Sequence, residues 1–166
     1  MSGHGRTLVA GVGNVFLGDD GFGVEVAQRL ASVPLPPGVE VRDFGIGGVH
    51  LAYQLLEGYD TLVLVDAVGR DAPPGTLFVI EPDPRDLGHD LDAHGFDPAS
   101  VLELARTLGT SVPRVLLVGC VPAEVEERLG LSPPVERAVE EALRLIPTLL
   151  VQHSQLEELT CLVGSS

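Results

Sequence analysis

The distribution of apolar and polar positions predicts alternating strands and helices. Thr7 to Val12 is a continuous apolar run bounded by glycine, the pattern of a strand buried on both faces. Phe22, Val26 and Leu30 follow at helical spacing, and Pro34, Pro36 and Pro37 end that helix. Val39 to Phe44 reads as a second strand, and Val49 to Leu56 as a short helix closed by Gly58. Thr61 to Val65 is the strongest strand signal and ends on Asp66. Thr76 to Ile80 is a further strand, separated from its predecessor by a short linker with two prolines and two glycines. A parallel crossover needs about a dozen residues or more, so this strand is expected to run antiparallel, beside the one before it.

Pro82 to Asp97 is polar and irregular, with two histidines and several aspartates. Asp97-Pro98 then opens a helix with Val101, Leu102, Ala105 and Leu108 on one face and Gly109 as its stop. Val115 to Val118 is the last central strand. Ser132-Pro133 is expected to cap the final helix, whose stripe is Val135, Val139, Ala142, Leu143 and Ile146. The expected architecture is α/β: a single three-layer domain over residues 1–150, with a mostly parallel, twisted sheet of about five strands, one of them antiparallel, and helices on both faces. Residues 151–166 form a tail that extends the last helix or frays.

In such sheets ligands bind beyond the carboxyl ends of the strands, where strand order reverses. For a 2-1-3-4-5 order that point lies between the first and third strands. The loop after the first strand carries Asp19 and Asp20, and the third strand ends on Asp66. Each acid has two readings. Asp19 and Asp20 either cap the following helix or line the crevice; Asp66 is either a turn residue or a ligand or acid/base group.

Composition narrows the chemistry. The chain has 166 residues and 45% apolar content, with 24 acidic side chains against 10 basic ones, a net charge of −14. Such a charge is repelled by nucleic acid and by anionic membranes. No apolar stretch reaches the ~18 residues of a membrane span, the N-terminus does not read as a signal peptide, and the expected location is the cytoplasm. Every basic residue is arginine, which excludes a Walker-type phosphate loop, a Schiff base and the lysine of a phosphoacceptor receiver domain. Phe16 stands where the dinucleotide fingerprint requires glycine. There is no H-E-x-x-H and no G-x-S-x-G, and Cys120 reads as a small buried residue. Of the histidines in the long loop, His89 reads as solvated, and His94 stands just before a helix. Two carboxylates and an imidazole would make a mixed oxygen and nitrogen site for a borderline divalent metal such as zinc or nickel.

The ordered motifs carry a resemblance. Gly11-Val12-Gly13-Asn14 with Asp19-Asp20-Gly21-Phe22-Gly23, then Val41 to Gly48, Leu64 to Val68, Asp92 to Asp97, Val118 to Pro122 and Gly130 to Pro133 are similar to the successive motifs of the hydrogenase maturation proteases. These endopeptidases trim the C-terminus of the large subunit of nickel–iron hydrogenases. The resemblance covers about residues 6 to 150. It implies metal contact and catalysis by Asp20, Asp66 and His94, with Asp19, Asp43, Gly45 and Gly47 in supporting or substrate-binding roles. The family often has glutamate at the position of Asp20, and the shorter side chain leaves open whether Asp19 or Asp20 is the ligand. The resemblance also implies nickel as a recognition element delivered within the substrate, with zinc or cadmium as stand-ins in vitro, and a hydrogenase large-subunit precursor as partner. The alternative is a non-catalytic, metal-sensing maturation chaperone of the same precursor.

Overall fold

The computed structural model describes residues 5–82 and 98–164, with side chains up to residue 152. Its elements are β1 (Thr7–Val12), a 3-10 turn (Gly18–Gly21), α1 (Phe22–Leu30), β2 (Val39–Gly45), α2 (Gly48–Leu55), β3 (Thr61–Ala67), β4 (Leu77–Ile80), α3 (Pro98–Thr107), β5 (Arg114–Cys120) and α4 (Pro133–Gly164). The strands form one sheet in the order β2-β1-β3-β5-β4. β2, β1, β3 and β5 are parallel, and β4 runs antiparallel to β5.

Burial explains this order. β1, β3 and β5 are apolar almost throughout and buried along almost their whole length, as inner parallel strands covered on both faces must be. Leu8, Ala10, Leu62, Leu64, Val115 and Leu117 point to one face, against Leu51 and Leu55 of α2 and Val101 and Ala105 of α3. Val9, Val63, Val65, Leu116 and Val118 point to the other, against Phe22, Val26 and Leu30 of α1 and Val135, Val139 and Ile146 of α4. The period-2 alternation of the strands and the helical stripes of α1 and α4 thus meet in a three-layer core.

The position of β4 differs from the expected 2-1-3-4-5 order. It is antiparallel, as its short linker predicts, but β5 lies between it and β3. The Val-Leu-Leu-Val run of β5 is buried on both faces and occupies the inner place, whereas β4 is only partly buried and exposes Val79. The reversal of strand order at β1 and β3 is unchanged. α4 continues through Pro147 to Gly164, past the expected boundary of the tail at Val151.

The layer that carries the site is packed tightly. A Cβ added at Gly23 would lie 1.9 Å from the Val65 carbonyl oxygen and 2.5 Å from that of Val12. Only glycine lets the start of α1 rest directly on β1 and β3. On the surface, Arg29 of α1 bonds Glu25 at 2.8 Å and reaches Glu136 and Glu140 of α4 at 2.5 and 2.9 Å.

Candidate functional site

The chain leaves β1 through Gly13 and Asn14. Gly13 has φ +135°, and a Cβ there would sit 2.0 Å from the Asp20 carbonyl oxygen and 3.5 Å from Asp66 Oδ1. Glycine is thus required where the ends of β1 and β3 and the 3-10 turn converge. Asn14 Oδ1 accepts the Phe16 N–H at 2.9 Å, a local turn that bends the chain back. The Asn14 N–H donates to Asp20 Oδ2 at 2.8 Å. The Gly13 N–H donates to the carbonyl of Gly45 at 2.9 Å, which ties this loop to the end of β2.

The two neighbouring aspartates have different surroundings. Asp19 has no exposed surface. Its Oδ1 accepts the Ser132 N–H at 2.7 Å, and its Oδ2 accepts the Ala123 N–H at 2.8 Å, the Glu124 N–H at 3.0 Å and the Ser132 hydroxyl at 2.8 Å. Burial alone would raise its carboxyl pKa, but the hydrogen bonds from Ser132, Glu124 and Ala123 hold it below the ordinary value. Both oxygens are committed to donors of this protein. Neither acid caps α1, whose N-cap position is Gly21 with no side-chain bond. Ser132 stands at the expected N-cap position of α4, where its carbonyl accepts the Glu136 N–H at 2.8 Å, and its hydroxyl donates to Asp19.

Asp20 and Asp66 are brought together. They are 6% and 9% exposed, buried acids at the carboxyl ends of the strands. Burial pushes the Asp66 carboxyl well above its ordinary value, the negative charge of Asp20 pushes it further, and the Ala67 N–H, 2.8 Å from Oδ1, opposes both. A pair of buried acids whose like charges repel each other is an arrangement that a divalent cation would neutralise, and carboxylate oxygens suit such a cation.

Asp43 is not part of this pair. It is exposed and follows Val39 and Val41 on the α1 side of β2, where Gln28 Nε2 donates to its Oδ2 at 3.4 Å. Gly45, with φ +56°, and Gly47 shape the turn from β2 into α2. His94 lies outside the described residues, as do His89, Asp92 and Asp97. Among the described residues no three His, Cys, Asp or Glu side chains gather as a metal site. Cys120 is buried, and burial, with the charges of Asp19 and Glu141 adding, pushes its thiol up to about 12. It is not an available nucleophile.

The fold and these side chains define a class: a doubly wound α/β protein with two buried carboxylates where strand order reverses. The profile of a family described as hydrogenase maturation protease matches residues 24–148. The hydrogenase 2 maturation protease of Escherichia coli is 33% identical over 145 residues, covering 85% of this chain and 88% of that protein. The solved structure of the hydrogenase-maturating endopeptidase HybD from Escherichia coli superposes with a TM-score of 0.77 at 32% identity, over 89% of this chain and 93% of that one. That of a hydrogenase 2 maturation peptidase from a Thaumarchaeota archaeon gives 0.69 at 36% identity, over 87% and 97%. The chain belongs to the hydrogenase maturation protease family and is a maturation endopeptidase.

Proposed function

We propose that this endopeptidase removes the C-terminal extension of a nickel–iron hydrogenase large-subunit precursor, and that Asp20, Asp66 and His94 engage nickel carried by that precursor. The observation that carries the reading is the burial of Asp20 beside Asp66 at the reversal of strand order, in a chain of this family. Asp20 rather than Asp19 is the ligand in this reading, because four internal donors already occupy the Asp19 oxygens.

The donor set fits the task. Two carboxylates and one imidazole leave coordination positions for groups of the substrate. Without cysteine the set would hold free metal weakly, so that nickel in the precursor acts as a recognition element. Zinc or cadmium would substitute in vitro. Nickel held there would polarise the scissile carbonyl or acidify a water. The chain's own residues supply orientation: the Asn14 N–H fixes one oxygen of Asp20 and the Ala67 N–H one oxygen of Asp66. Asp43, Gly45 and Gly47 support the neighbouring wall or contact the peptide. The net charge of −14 argues against binding to nucleic acid or to an anionic membrane surface, and the cytoplasm is the proposed location; no helix among the described residues is long and apolar enough to cross a membrane.

Cleavage of the nickel-loaded precursor by Asp20→Ala, Asp66→Ala and His94→Ala variants tests this site. Each is expected to lose at least ~100-fold in rate, the scale of a removed catalytic group. A variant of this set that folds and cleaves at the parental rate removes its residue from the site.

A further inference from the structure

Asp19 is the buried charged group that the cleavage reading leaves without a task. Its four donors come from positions 104 to 113 residues further along the chain, so it joins the turn after β1 to the segment between β5 and α4. The joint is reciprocal. The Asp19 N–H donates to the Glu124 carbonyl at 3.0 Å, and the Glu124 N–H returns a bond to Asp19 Oδ2 at 3.0 Å. Two more bonds extend it: the Gly18 N–H donates to the Arg128 carbonyl at 2.8 Å, and the Arg128 N–H to the Phe16 carbonyl at 2.9 Å. Residues 16 to 19 are therefore gripped along one side by residues 123 to 132. The next residue is Asp20, whose carboxylate is held on the other side by the Asn14 N–H.

We infer that Asp19 is a positioning residue: by clamping residues 123 to 132 onto the 3-10 turn, it fixes the backbone from which Asp20 faces Asp66. It acts through Asp20 and touches no reacting group. Partners that orient a ligand in this way typically change its performance by ~10–100-fold when removed. The inference rests on the reading of Asp20 and Asp66 as site residues, but its decisive test does not.

That test is residue-resolved amide hydrogen exchange on the metal-free full chain, comparing the parent with Asp19→Asn, Ser132→Ala and Ser132→Thr. Asp19→Asn replaces one acceptor oxygen by an amide that faces the same donors. Exchange at Asn14, Gly18 and Asp19 is expected to accelerate by about tenfold or more, the scale of one lost charge-assisted hydrogen bond in a local opening, while the central amides of β1 and β3 keep parental rates. Ser132→Ala, which removes a single bond, should give a smaller effect at the same amides, and Ser132→Thr should restore it. In cleavage of the precursor, kcat should fall and KM should hold. Uniform acceleration across the sheet, in both Asp19→Asn and Ser132→Ala, would make the clamp a matter of general stability and overturn the inference. Parental exchange at Asn14 and Gly18 would overturn it equally. A changed exchange pattern alongside an Asp20→Ala variant that still cleaves would instead contradict the catalytic reading of Asp20 and leave the clamp in place.

Discussion

Asp66 accepts the Ala67 N–H and lies within the field of Asp20, in a place that water scarcely reaches. Holding two like charges there costs stability in the protein without a cation. At a pH above its raised pKa, where Asp66 is ionised, Asp66→Asn keeps the acceptor oxygen and removes one charge; below it Asp66 is already protonated and the substitution changes no charge. Thermal melting should therefore give a Tm equal to or above the parent's, with ~1 kcal/mol of relief corresponding to about 2–4 °C at this chain size, while cleavage is lost. A Tm several degrees lower would contradict the repulsion. Cys120 gives a second prediction at this scale. With its thiol pushed up to about 12, it stays protonated at pH 8, so in a Cys161→Ser background the folded protein should resist alkylation and become labelled only on unfolding. Raising the pH toward 12 should increase labelling; rapid labelling at pH 8 would show a thiolate that burial does not permit. The candidate acids were legible in the sequence because each ends a recognisable strand or turn. The division of labour between Asp19 and Asp20 was not, because the donors to Asp19 come from more than a hundred residues away and leave no local pattern. Ser132 was legible as the residue that opens α4, because position is local information, but its side-chain partner Asp19 was not.

The elements follow from patterns that their own segments contain. β1, β3 and β5 are unbroken apolar runs, and α1 repeats an apolar residue every four positions, so their kind was readable directly. The neighbour of β4 was not, because strand order is decided by which run gains most from burial on both faces, a competition between segments. The glycines of the first motif show how element packing sets the site. Gly23→Ala would force a Cβ against the Val65 and Val12 carbonyls, and chemical denaturation should show a loss of roughly 1–3 kcal/mol or more, the cost of overpacking. A neutral result would mean that α1 does not rest on the sheet as closely as described. Arg29→Ala, which removes only partly exposed ion pairs between α1 and α4, should cost no more than about 1 kcal/mol in the same assay.

Across the whole molecule, the sheet order places the β1 and β3 ends beside each other, and the segment between β5 and α4 closes on the turn after β1. The buried acids at that place belong to two separate stretches of chain, the turn after β1 and the end of β3, and the family is one of maturation endopeptidases. The central claim is that this centre engages nickel in the precursor as the condition for cleavage. Intact-mass spectrometry of the large-subunit precursor, incubated with this protein in nickel-loaded and nickel-free form, tests it most directly. The account predicts a C-terminal mass loss in the nickel-loaded sample alone. Equal cleavage of the nickel-free precursor, or an unchanged mass for precursor verified to carry nickel, would contradict it.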